Sequence, residues 1–151
     1  MPAPRVLVAE FDDLVRSAWA AGCVARCGPV TVLEADCGRD AVRLLLEERP
    51  DLVVVSLRLP EGPTANPQGG FQVVLDAADL GVPVVLVCGA LDEALQRHLD
   101  HLGVTCVLRG EAERDVAAAV EEALRRCYDE ESPSSARQAS WSRSARSAIA
   151  S

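Results

Sequence analysis

Pro50-Asp51-Leu52-Val53-Val54-Val55-Ser56 is the stretch that decides the fold. Four apolar residues run without a polar interruption, and three of them are β-branched, the side chains that suit a pleated strand. A strand with one wet face would alternate apolar and polar positions. A strand that is apolar throughout is covered on both faces, which is the situation of a parallel strand between two helix layers. Just upstream, Arg39 to Glu48 reads as a helix that must stop at Arg49, because a residue before proline avoids helical angles.

The same unit repeats outward from this stretch. Arg5 to Ala9 is a short buried strand, and Asp12 or Asp13 can cap the helix that follows by accepting from free first-turn amides. That helix is expected to carry Leu14, Val15, Ala18, Trp19, Gly22 and Cys23 on one face and to stop at Cys27-Gly28-Pro29. Val30 to Ala35 is a second strand. Downstream, residues 58–70 form a loop rich in proline and glycine. A helix from about Phe71 to Leu80, a strand from Val84 to Val87, a helix from about Asp92 to Leu102 and a strand from Val104 to Leu108 follow. The last helix runs from about Glu113 to Tyr128, with Val116, Val120, Leu124 and Cys127 as its apolar stripe. Strand and helix alternate five times, so the expected fold is α/β: a flavodoxin-like, doubly wound, five-stranded parallel sheet in the order 2-1-3-4-5.

Two domains of behaviour are expected. Residues 1–128 form the folded domain. Residues 129–151 are a Ser/Ala/Arg-rich tail with too few apolar residues to offset the entropy of ordering, and they are expected to be disordered. Within the tail, Trp141 and Ile149 are the apolar anchors, and Arg137, Arg143 and Arg146 the charges, that a docking peptide would use.

Composition narrows the function classes. The chain has 151 residues, 49% of them apolar and only 3% aromatic, so Val, Leu and Ala must fill one core. A net charge of -8 argues against nucleic acid as a partner, since a phosphate backbone would be repelled on average. No apolar run approaches the length of a membrane span, and Val6 to Ala9 is too short for a signal-peptide core, so no membrane partner and a cytoplasmic location are expected. The six cysteines form no C-x-x-C pair, and a four-ligand metal site cannot be assembled from Cys23 and Cys27 alone. They are expected to be reduced core thiols.

Taken with Arg5-Val6-Leu7-Val8-Ala9-Glu10, Leu33-Glu34-Ala35-Asp36-Cys37-Gly38-Arg39-Asp40-Ala41, Pro50 to Val55, Leu57-Arg58-Leu59-Pro60 and Gly81-Val82-Pro83-Val84-Val85, the chain resembles the receiver domain of two-component response regulators over about residues 4–127. In that family two acids after the first strand and an acceptor aspartate after the third hold Mg²⁺, and the aspartate takes the phosphoryl group. A Ser or Thr after the fourth strand and a Lys after the fifth bind the phosphoryl oxygens. Matched position by position, Glu10 keeps the first acid. Phe11 stands for the second acid, Ser56 for the acceptor, Cys88 for the hydroxyl residue and Gly110 for the lysine.

The resemblance therefore implies a degenerate pocket. A magnesium ion wants several oxygen ligands, and a phosphoryl group wants a cation opposite it. Arg109 is one residue from Gly110 on a strand and is expected on the other face of the sheet. No metal, no cofactor and no catalysis are expected. The expected role is a phosphorylation-independent pseudo-receiver that binds another signalling protein or a second copy of itself. The family's common interaction face maps to Arg97, His98, His101, Val107, Glu121 and Arg125, with Val107 at the aromatic switch position. The alternatives are a receiver still regulated by phosphorylation or another ligand at this pocket, and a flavodoxin-like small-molecule or redox protein. The latter meets an obstacle in Glu10-Phe11-Asp12-Asp13, whose negative charge would repel a phosphate. Glu61 to Gly69 form an insertion beside the pocket, which covers it, presents a recognition surface, or is simply a tolerated surface insertion, since lengthening a loop costs little in closure entropy.

Overall fold

A computed structural model describes residues 3–60, 62, 69–89, 93–108 and 113–131. Strand and helix alternate as β1 (Arg5–Ala9), α1 (Asp13–Cys27), β2 (Thr31–Ala35), α2 (Gly38–Glu48), β3 (Leu52–Ser56), α3 (Gly69–Leu80), β4 (Val84–Cys88), α4 (Glu93–His101), β5 (Thr105–Leu108) and α5 (Glu113–Glu131). All strand pairs are parallel, and the sheet order is β2-β1-β3-β4-β5. The α/β class and the parallel sheet expected from the sequence are what the structure has.

The strand period of two sorts the core into two layers. Leu7, Ala9, Val53, Val55, Val84 and Leu86 face one side and pack with Ala41 and Leu45 of α2, Val73 and Val74 of α3, and Leu99 of α4. Val6, Val8, Leu52, Val54, Val85 and Val87 face the other and pack with Trp19 and Cys23 of α1 and Val116, Val120 and Leu124 of α5. Every residue of β3 and β4 is buried, as a strand flanked by helices on both faces must be. Each fully buried Val or Leu contributes roughly 1.5–3 kcal/mol relative to exposure, so this central pair anchors the domain.

The helix boundaries follow local chemistry. Asp12 is the N-cap of α1, and its Oδ1 accepts from the amides of Leu14 at 2.9 Å and Val15 at 3.1 Å. Arg49 ends α2 in the left-handed region, at φ 48°, with its amide still donating to the Leu45 carbonyl at 3.3 Å. The proline that follows forbids a further helical turn. Gly22 of α1 faces α5: a Cβ there would lie 3.5 Å from the Ala117 Cβ, in ordinary van der Waals contact.

Two expectations need correction. Leu14 is 83% exposed and does not join the buried face of α1. At 100° per residue it sits about a quarter-turn or more from the Val15–Trp19–Cys23 line, so the helix turns it outward. The final helix continues to Glu131, past the expected end at Tyr128. Asp129, Glu130 and Glu131 contain no helix breaker, and the first one is Pro133. Residues 132–151 of the expected tail lie outside the described residues.

Candidate functional site

The carboxyl ends of β1, β3 and β4 bring three of the five pocket positions to one edge of the sheet. Glu10 follows β1 directly, and its amide donates to the Ala35 carbonyl at 3.0 Å, extending the β1–β2 ladder by one step. This places Glu10 below the surface, at 4% exposure. Its Oε2 accepts from the Phe11 amide at 2.5 Å. Its carbonyl accepts from Arg16 Nη1 at 2.8 Å.

Ser56 is the last residue of β3 and is 1% exposed. The chain folds back on it. Its Oγ accepts from the Arg58 amide at 3.3 Å, and its carbonyl accepts from the Leu59 amide at 3.1 Å. Cys88 closes β4 and is 2% exposed. Phe11 departs from the other three, because its ring is 65% exposed. Gly110 lies outside the described residues, as does Arg109.

A glycine joint seals the β3 side. A Cβ on Gly70 would lie 2.7 Å from the Leu57 carbonyl and closer still to that of Ser56. A Cβ on Gly69 would meet the Pro60 carbonyl at 2.5 Å, and one on Gly38 would meet the Gly69 Cα at 2.9 Å. Backbone bonds use the space that the missing side chains leave. Gly38 N–H donates to the Pro60 carbonyl at 2.7 Å, and Gly70 N–H to the Leu59 carbonyl at 3.2 Å. Both ends of the insertion are thereby tied to the first turns of α2 and α3. Of the insertion itself, Gly62 and Gly69 are described.

Arg16 stands at the rim of this edge and is fully engaged. Its guanidinium binds Asp13 at 2.5 Å and Glu34 at 3.1 Å. Partial burial works against its charge, but the hydrogen bonds and charges of these carboxylates prevail and raise its pKa above the usual value. It is therefore a tied cation and not one held ready for an incoming anion.

The magnesium ion implied by the family resemblance does not fit these groups. Of Glu10, Phe11 and Ser56, only Glu10 carries a carboxylate, and that carboxylate already accepts from the next residue's amide. Mg²⁺ requires a near-octahedral set of oxygens and gives up its waters reluctantly. The sequence reading did not single out Asp36, Cys37 and Asp40, whose ligand atoms lie within 4.8 Å of one another at the start of α2. The 36/37/40 spacing across a helix start was the available signal. Carboxylates at a helix N-terminus are favourable without an ion.

The six residues of the expected interaction face lie on α4, β5 and α5. Arg97, His98 and His101 are exposed on α4. However, the His98 ring turns to Phe71 of α3, with ring centroids 5.9 Å apart. Glu121 binds Arg26 of α1 at 3.3 Å and Arg125 at 3.6 Å, so it belongs to the α1–α5 seam. Val107 pairs with Val87 in the sheet, and its side chain is not described.

Of the described cysteines, Cys23, Cys37 and Cys88 are buried, and Cys27 and Cys127 are half-buried. Cys23, Cys27, Cys37, Cys88 and Cys127 form no disulfide. Burial pushes the Cys23 thiol up to about 11, with Cys27 adding to the effect. Burial and then the Glu121 carboxylate raise Cys27, while Arg26 opposes them. Neither is a thiolate nucleophile at neutral pH.

No family model matches the chain. The chain is 31% identical over 84 residues to response regulator GacA of Pseudomonas aeruginosa, covering 56% of this chain and 38% of that protein. It thus spans about two fifths of the length of this curated relative. Among solved structures, it superposes on the signal receiver domain of a Luxo repressor protein from Vibrio parahaemolyticus with a TM-score of 0.71 at 20% identity, covering 85% of this chain and 95% of that one. A CheY-like receiver domain from Methanospirillum hungatei JF-1 gives a TM-score of 0.71 at 16% identity, with 85% and 98% covered. A DNA-binding response regulator of the LuxR family from Staphylococcus aureus gives 0.65 at 17% identity, with 80% and 98% covered. The chain has the receiver-domain fold, and the resemblance read from its sequence holds in both comparisons. The presence of a DNA-binding regulator among these proteins means that the expectation of no nucleic-acid partner rests on charge alone. No helix among the described residues is long and apolar enough to cross a membrane.

Proposed function

We propose that this chain is a pseudo-receiver: it keeps the receiver architecture, does not accept a phosphoryl group, and works by docking to another signalling protein or to a second copy of itself. The observation that carries this reading is Ser56. It occupies the end of β3 where the resemblance places the acceptor aspartate, it is 1% exposed, and its oxygen accepts from the Arg58 amide. A neutral hydroxyl beneath the surface has neither the charge to hold a metal nor the access to reach a donor. The lost second acid at Phe11 and the commitment of Arg16 to Asp13 and Glu34 support the same conclusion. Phosphoryl transfer depends on positioned cations around the transferring group, and the glycine at position 110 supplies none.

The folded unit in this proposal comprises residues up to the end of α5, and residues 132–151 are a separate basic segment. The test is incubation of the intact protein with Mg²⁺ and acetyl phosphate, followed by intact-mass measurement. No phosphoryl adduct is expected. An adduct that disappears in Ser56→Ala would make Ser56 an acceptor and overturn the reading.

A further inference from the structure

The rim of the pocket carries an apolar pair that the fold does not use. Phe11 is 65% exposed and Leu14 is 83% exposed, and the two flank the N-cap of α1. Single exposed apolar residues are ordinary on protein surfaces. Among the described residues, two of the four large exposed apolar ones, the others being Val24 and Leu46, fall within one helical turn. Nor does Phe11 staple the helix: its staple partner position is Arg16, which is turned to carboxylates. Around the pair stand Asp12, Asp13, Glu34 and Asp36, all exposed. Arg16, in their midst, is already paired. The surface is therefore apolar at its centre and acidic at its margin.

The chain contains a segment of matching chemistry. Residues 132–151 hold Arg137, Arg143 and Arg146, no Asp or Glu, and the apolar Trp141 and Ile149. With the whole chain at -8, the rest of the molecule repels itself and attracts this segment.

Reach selects which part can arrive. Gly22 faces Ala117 and Arg26 binds Glu121, so α1 and α5 run in the same direction. The end of α5 at Glu131 then lies roughly 33 Å along the helix axes from Leu14, at 1.5 Å per residue. Trp141 needs a nearly extended chain to cover that distance, since ten residues span at most about 36 Å. Ile149 has chain to spare, with eighteen residues spanning up to about 65 Å.

We infer that residues 143–149 fold back in cis onto the start of α1, with Ile149 against Phe11 and Leu14 and with Arg143 and Arg146 against the surrounding carboxylates. The contact occludes the surface beside the pocket, so that a partner docking there must first displace it. It does not depend on whether the pocket is inert.

Limited tryptic cleavage after Arg143 and Arg146 in the intact chain, followed by mass spectrometry, tests this. Cleavage tracks the population of the open form when opening is fast, so about 80% occupancy slows it about five-fold. We expect Phe11→Ser/Leu14→Ser and, separately, Ile149→Ser to restore the fast rate. Ile149→Ser leaves the folded domain untouched, so a folding defect in the double variant does not spare the proposal. Rates equal to wild type in Ile149→Ser overturn it. Protection that rises with protein concentration also overturns it, by placing the contact between two copies.

Discussion

The floor and the rim of the same sheet edge have exchanged their expected polarities. On the floor, Glu10, Ser56 and Cys88 are each at most 4% exposed. On the rim, Phe11 and Leu14 are at least 65% exposed. A pocket that handles a charged ligand would expose its oxygens and shield its apolar groups. This edge does the reverse, and two local causes produce the inversion. The β1–β2 ladder runs on through Glu10 and draws its backbone under, while the helix cap at Asp12 turns Phe11 and Leu14 outward on either side of it. The floor is thus part of the fold's interior, and the rim is a surface. Substitutions should separate the two by their energetic scale.

The largest effect is expected at the joint that seals the floor. Gly70→Ala drives a Cβ into the carbonyls of Ser56 and Leu57, and neither backbone can yield without moving β3 or α3. We expect a loss of about 3 kcal/mol or more, as for severe overpacking, read from urea unfolding. A loss below about 1 kcal/mol, within the range of ordinary surface substitutions and small repacking, would mean that the floor is loosely closed. Ser56→Asp comes next. It supplies the carboxylate that the resemblance implies, but at a position now 1% exposed, one step beyond the Ala9–Val55 pair and so beside Glu10. Burial raises an acid's pKa. A raised folded-state pKa contributes stability below the unfolded value and loses it as pH rises through the folded one. The variant should therefore be destabilised by roughly 2–4 kcal/mol at pH 7 and recover as the pH falls towards 4. Added Mg²⁺ that restored its stability at pH 7 would show that the edge still assembles a cation site. The smallest effect belongs to the rim. In the Ile149→Ser background, where the tail contact is already removed, Phe11→Ser and Leu14→Ser should shift unfolding by less than about 0.5 kcal/mol, as exposed positions do. A larger loss in thermal unfolding would place these side chains in the core's account after all.

Much of the architecture was readable along the chain because it depends on local pattern. Leu52 to Val55 reported its own double burial, and Asp12, Arg49-Pro50 and Gly28-Pro29 marked helix limits by caps and forbidden angles. Glu10, Ser56 and Cys88 were readable as strand-end positions by their register. What lay beyond reading depended on partners distant in sequence. Nothing near Glu121 announces Arg26, and nothing near His98 announces Phe71, yet these contacts engage two residues of the expected interaction face. Helical periodicity put Leu14 on the buried side, because a hydrophobic residue at the edge of an apolar stripe carries no label for which neighbour covers it. The packing of Gly38, Gly69 and Gly70 was invisible for the same reason: a glycine in sequence does not say whose backbone it admits.

That three-glycine joint has a consequence for how the molecule can change. Pro60 and Gly69 are held by the bodies of α2 and α3, so the two ends of the chain between them are fixed. Its length and composition can then be exchanged at little cost to the domain, since lengthening a loop whose ends are already fixed adds only a slowly growing closure term. A change of length between these two fixed ends is therefore expected to cost the parallel sheet little.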